Sequence, residues 1–183
     1  MSMMNSTRSY AEGRARLASF LAALAFFLSA VEYMLPRPVP FMRLGLANLP
    51  ILLAVDLLPF GSYITLVFVK VLGMSILSGS LFSYVALFSL AGSLASALVM
   101  RGLRFVATER RVSYVGLCVA GALASNLAQV ALARVFVFGA SARYMLPAFL
   151  GLGLISGLVL GAFAELFALN SAWLRQAKED ARG

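Results

Sequence analysis

The sequence has no histidine, a single cysteine and only two aspartates among its 183 residues. Without histidine, the commonest general base and the commonest nitrogen ligand for zinc are both missing. Cys118 alone can form no disulfide within the chain. Asp56 and Asp180 stand far apart, so no aspartate-rich cluster exists to hold magnesium for diphosphate chemistry. There is no GxxxxGK[ST] loop, so any use of ATP has to come from another chain. The run Gly151-Leu-Gly153-Leu-Ile-Ser156 departs from a dinucleotide fingerprint because serine takes the third glycine's place, and it lies inside an apolar helix, where it reads as packing. These absences argue against an enzyme, a resident metal and a cofactor.

Charge is scarce as well, at 12% of residues, while 62% are hydrophobic and the mean hydropathy is +0.93. A soluble domain carries an apolar share nearer half, so the chain reads as an integral membrane protein with one domain. The net charge of +8 would suit nucleic acid, but the basic residues sit in short segments between apolar runs. That placement points to membrane topology and anionic lipid, with no nucleic-acid partner.

The apolar runs predict an all-α, six-helix transmembrane bundle over residues 17–169, between an N-terminal segment 1–16 and a charged tail 170–183 that is frayed from Arg175. Arg8, Arg14 and Arg16 precede the first run, 17–35, which is longer than a signal-peptide core and lacks a small-x-small cleavage site, so it is expected to stay as the first span. Ala18 and Ala22 form a small-xxx-small pair continued by Ala25 and Ser29, suited either to packing within the chain or to docking a partner subunit. The second run, 44–57, is too short for an ordinary span. It follows the turn Pro36-Arg-Pro-Val-Pro40 and contains Arg43, Gly45, Asn48 and Pro50, the composition of a broken helix. Irregular backbone at membrane depth survives only when buried in protein or lining a cavity, so this stretch is the expected binding element. Further helices are predicted at 62–77, with Lys70 near its middle, and at 81–100, with Gly92, Ser93 and Ser96 for close packing. Two more follow: 113–138, with Asn126 and Gln129 on one face, and 144–169, with Gly153, Gly157 and Gly161 as a stripe.

Basic residues choose the orientation. Ten lie in the N-terminal segment, the 101–112 loop and the tail, against three (Arg37, Arg43 and Arg143) on the other side. Both termini are therefore expected in the cytoplasm of a multi-pass plasma-membrane protein, with loop 36–41 outside. Arg37, Arg43, Arg134 and Arg143 then form an external basic rim facing only Glu32. Either they snorkel to lipid phosphates or they hold a small anionic ligand. Below the rim, Asn48, Asn126 and Gln129 offer polar groups that serve as interhelical glue or as ligand contacts. Lys70 is expected to pair with Asp56 or Glu165, or else to meet substrate or a coupled proton.

Arg43-Leu-Gly-Leu-Ala-Asn-Leu-Pro50, with Leu77-Ser-Gly-Ser80 and Leu90-Ala-Gly-Ser-Leu-Ala-Ser96, resembles the Gx transporter family, also catalogued as heptaprenyl diphosphate synthase component I. The likeness runs over roughly 17–169. By its spans, basic loop and Ala18/Ala22 strip, the chain is also similar to the substrate-binding S components of energy-coupling factor transporters. Lys70 departs from the arginine many relatives carry, which weakens a bidentate role there. The resemblance implies two functions. One is capture of a small anionic metabolite, with Arg43, Asn48, Lys70, Asn126 and Gln129 at the site. Its partners would be a transmembrane coupling subunit, docked on Ala18 and Ala22, and two cytoplasmic ATPases. The other is a noncatalytic membrane subunit of a prenyl diphosphate synthase.

Overall fold

A computed structural model describes residues 2–34, 45–107 and 111–182 of the chain. Among them there are helices and turns and no strands. The helices are α1 (Ser2–Met34), α2 (Leu49–Leu57), α3 (Phe60–Leu77), α4 (Tyr84–Val106), α5 (Tyr114–Ala133), α6 (Leu146–Asn170) and α7 (Ala172–Arg182). Five of them, α1 and α3 to α6, are long and apolar enough to cross a membrane. Large apolar side chains such as Phe27, Phe105, Ile155 and Phe163 point outward. That is the pattern of a bundle whose solvent is lipid, and the fold is an all-α membrane bundle.

The local chemistry explains where the helices break. Gly45 has φ 87°, a left-handed conformation that glycine adopts at no steric cost, and a 3-10 turn over Leu46–Asn48 leads from it into α2. Leu58 is forced into an extended conformation before Pro59, which ends α2 after nine residues. Gly79, at φ 66°, closes α3, with Ser80 N–H reaching back to the Ser75 carbonyl at 2.9 Å. Ser113 caps α5 by accepting from Gly116 N–H at 3.2 Å. The predicted fifth helix is α-helical only to Ala133 and continues as a π turn over Arg134–Phe138.

The short second helix is the centre of the bundle. Pro50 to Val55, Leu57 and Leu58 are all buried, and α2 touches every other helix. With its preceding turn it spans 12 residues, Leu46–Leu57, or about 18 Å at 1.5 Å per residue, against the roughly 30 Å of a hydrocarbon core. Protein encloses it, so it need not match the thickness of the hydrocarbon core. On the far side, α6 lies against α5 along the predicted glycine stripe. A Cβ on Gly157 would stand 2.9 Å from Val119 Cα, and one on Gly161 2.6 Å from Val115 Cα. Only glycine allows this approach, so the stripe is a helix-packing seam.

The helix of the first span begins upstream of residue 17, since α1 is one helix from Ser2. One expectation is corrected. The C-terminal tail is not frayed: α7 is an amphipathic helix docked beneath α2, with Leu174 at 1% exposure and Trp173 edge-on to Phe20 at 5.8 Å between ring centres.

Its anchor is a charge cluster at the C-terminal end of α2. The Asp56 carboxylate receives Arg104 at 2.8 and 3.1 Å, Tyr114 Oη at 2.7 Å and Lys178 of α7 at 3.7 Å. Lys178 also stands 5.0 Å from the Tyr114 ring centre. Removing the carboxylate strands cations in a low-dielectric site. Asp56→Ala is therefore expected to cost about 3–5 kcal/mol and to free α7. Thermal unfolding in detergent, with proteolysis of the C-terminus, checks this; an unchanged midpoint with a protected α7 would contradict it.

Candidate functional site

At the opposite end of α2 the bundle opens into a polar cavity of about 220 Å³. Its walls come from the C-terminal half of α1, the turn before α2, the second half of α3, the first half of α4, and the middles of α5 and α6. Asn48, Lys70, Asn126 and Gln129, four of the five residues expected at a binding site, line this one space. The fifth, Arg43, lies outside the described residues, as do Arg37 and Arg110.

Lys70 is 3% exposed and donates to Asn48 Oδ1 at 2.7 Å. The ion pair expected with Asp56 or Glu165 is therefore replaced by an amide contact. The reason is position: Asn48 and Asp56 stand at the two ends of α2, eight residues or about 12 Å apart along a helix. Asp56 has its own cations, and Glu165 accepts from Tyr114 N–H at 2.7 Å.

Asn126 and Gln129 share a face of α5 but do not satisfy each other. Asn126 Nδ2 donates across to the Phe149 carbonyl, tying α5 to α6, while its side chain still borders the cavity. Gln129 Nε2 donates to Ser125 Oγ at 3.3 Å within α5. Its Oε1 is buried and meets no donor among the described residues. The amide is held from behind by Gly92 of α4, where a Cβ would come within 2.6 Å of Gln129 Nε2.

Sequence reasoning missed Glu32 as a wall of this site and treated it only as the negative charge facing the rim. Its carboxylate, 5% exposed, accepts from Gly45 N–H at 2.9 Å and Ala47 N–H at 3.4 Å. It thereby supplies acceptors for the backbone donors of the broken turn, which lipid cannot supply. Serines were also missed: Ser29, Ser78, Ser80, Ser89, Ser125 and Ser156 all face the cavity, with Ser93, which had been read as packing alone. The signal was present in α4, where Ser89, Ser93 and Ser96 recur at helical spacing inside an apolar helix.

The rim arginines are elsewhere. Arg134 is exposed on the π turn, and Arg143 donates to Tyr144 Oη at 2.9 Å with its guanidinium over that ring; neither lines the cavity. Ala18 and Ala22 do border an open space, a groove of about 530 Å³ between α1 and α3 walled by Phe26, Leu66 and Val69. Ala25 and Ser29, further along the strip, turn into the core.

A protein-family model described as heptaprenyl diphosphate synthase component I matches residues 21–167. The chain belongs to the heptaprenyl diphosphate synthase component I family. Every wall of the cavity, from Ser29 to Ser156, falls within the component I match, and α7 falls beyond it. Neither the curated proteins nor the solved structures include a match to the chain.

Replacing Glu32 tests how the site is built. Glu32→Ala leaves two backbone donors unsatisfied and is expected to cost about 2 kcal/mol or more, whereas Glu32→Gln keeps one acceptor oxygen and loses less. Equal unfolding midpoints for the two variants would contradict the carboxylate's role as acceptor.

Proposed function

We propose that this component I family member is a membrane-embedded substrate-binding subunit of an importer of the energy-coupling-factor type. It captures a small anionic metabolite from the external side and does no chemistry itself. The observation that carries this reading is the polar cavity at the broken second helix, where Lys70 and Asn48 meet among hydroxyl-bearing walls. A buried lysine is costly in a membrane protein and marks a substrate path more often than a fold requirement. The metabolite's acidic group would sit against Lys70 and Asn48, with Asn126 and Gln129 at its other end.

Three further features support the assignment. The cavity, at about 220 Å³, falls below the roughly 300–1,000 Å³ of drug-sized sites and suits a small metabolite. The small-residue groove at Ala18 and Ala22 offers a face to a transmembrane coupling subunit, which two cytoplasmic ATPases would drive. The distribution of basic residues favours both termini in the cytoplasm of the plasma membrane, an orientation in which the cavity faces outward.

A second reading follows the wording of the family's description, a noncatalytic subunit that assists a soluble prenyl diphosphate synthase. The hydroxyl-rich, compact cavity suits a long isoprenoid chain poorly, so we rank this second.

Native mass spectrometry of the protein gently extracted from its own membrane separates the two. The importer reading expects a retained metabolite with coupling and ATPase subunits; a soluble synthase and no metabolite would sink it. Lys70→Met is expected to weaken retention of that metabolite at least tenfold while preserving the helical circular dichroism signal. Undiminished retention would remove Lys70 from the site.

A further inference from the structure

The first and last helices meet at one corner of the bundle. Phe20 of α1 and Trp173 of α7 pack edge-on, and both rings stay open to the outside, at 55% and 44% exposure. Their depth follows from the helices that carry them. After Arg16, α1 has no charged residue until Glu32, and the α6 span ends at Asn170, just before α7. An outward aromatic pair where two spans end sits at the boundary between hydrocarbon and headgroups, the level that suits a ring with an apolar body and a polar N–H. The other face of α7 holds it to the bundle: Leu174 is buried, Ala177 packs against the core and Lys178 reaches Asp56.

Cations flank the two rings. Arg16 lies four residues before Phe20, on the same face of α1 and about 6 Å nearer the helix start. Arg175, two residues beyond Trp173, donates to the Leu169 carbonyl at 2.8 Å, which holds its guanidinium at the end of α6. Both arginines are exposed. The surrounding field has the same sign. Arg104 of α4 and Lys178 of α7 both meet Asp56, so the segments next to these helices belong to this end of the bundle. Segments 1–16, 101–112 and 171–183 carry ten basic residues against four acidic ones, Glu12, Glu109, Glu179 and Asp180. Guanidinium pairs with phosphate through two hydrogen bonds, and a cluster of cations at headgroup level draws anionic lipid over zwitterionic lipid.

We propose that the corner between α1 and α7 binds an anionic phospholipid, with its phosphate and headgroup at Arg16 and Arg175 and its glycerol and upper acyl chain against Phe20 and Trp173. This site is separate from the polar cavity and does not depend on what the cavity takes. It gives α7 a second hold besides Asp56, since the helix is then clamped between the bundle and the membrane surface. Phe20 and α7 both lie outside the residues that the component I family model matches.

Trp173 is the chain's only tryptophan, so its fluorescence reports on this corner alone. The full chain is reconstituted into vesicles of phosphatidylcholine and phosphatidylglycerol, with an equal share of lipid brominated on the acyl chains, supplied as one lipid or as the other. Bromine quenches tryptophan on contact. Quenching by brominated phosphatidylglycerol is expected to exceed that by brominated phosphatidylcholine about twofold or more. In Arg16→Gln with Arg175→Gln the excess is expected to vanish, while quenching by brominated phosphatidylcholine and the helical circular dichroism signal stay as in the wild type. Each single variant is expected to lose part of the excess, which keeps the test open should the double variant fold poorly. Arg111→Gln, an exposed cation of the same end away from the two rings, is expected to keep it.

Equal quenching by the two lipids in the wild type, or quenching by neither, overturns the site. So does an excess that survives in the arginine variants, and so does its equal loss in Arg111→Gln, which would mean a diffuse field in place of a site.

Discussion

The bundle depends on how the two ends of one short buried helix are satisfied. Nine residues leave α2 with up to four backbone donors or acceptors at each end outside the helical ladder, and lipid offers no replacement. Glu32 takes the donors of the turn leading into its N-terminal end. At the other end the Arg101 guanidinium donates to the Val55 and Leu58 carbonyls, the latter at 3.2 Å, while Arg104 and Lys178 pair with Asp56. Negative charge at the N-terminus and positive charge at the C-terminus is the arrangement a helix dipole favours. Glu32 and Arg101 bond backbone groups at the two helix ends, and with Arg104 and Lys178 they tie α2 to α1, α4 and α7. Without them the central element would lose its place, and the cavity above it would lose a wall.

The amino-acid sequence made the periphery of this fold legible and its centre only partly so. Long apolar runs and the Gly153, Gly157, Gly161 stripe mark α5 and α6 because span length and close packing leave one-dimensional patterns. The broken second helix was legible for the same reason, in Gly45, Asn48 and Pro50. The partners of its ends were not. Glu32 lies 13 residues before Gly45, Arg101 lies 46 after Val55, and nothing local connects them. Lys70 shows the cost of that gap. Pairing it with a distant carboxylate was reasonable from charge alone, but Asp56 lies at the other end of α2 from the cavity, and Lys70 donates to the Asn48 amide. The tail failed for a related reason: its charges suggested fraying, while Leu174, Trp173 and Lys178 recur on a helical face that has the bundle to dock against.

The chain carries two buried polar clusters, and the difference between them separates architecture from function. Around Asp56 each charge has an opposite charge, a ring face or a carbonyl against it, and the groups come from α2, α4, α5 and α7. That cluster pairs its charges within the chain and serves assembly. Around Asn48 the polar groups surround empty volume, hydroxyls outnumber charges, and the Gln129 acceptor has no donor among the described residues. A sequence selected for stability alone would fill such a space with apolar side chains, since an unsatisfied buried group costs more than the contact it replaces. The cavity keeps its polar lining at that cost, which sets it apart from the Asp56 cluster, where the charges are paired within the chain.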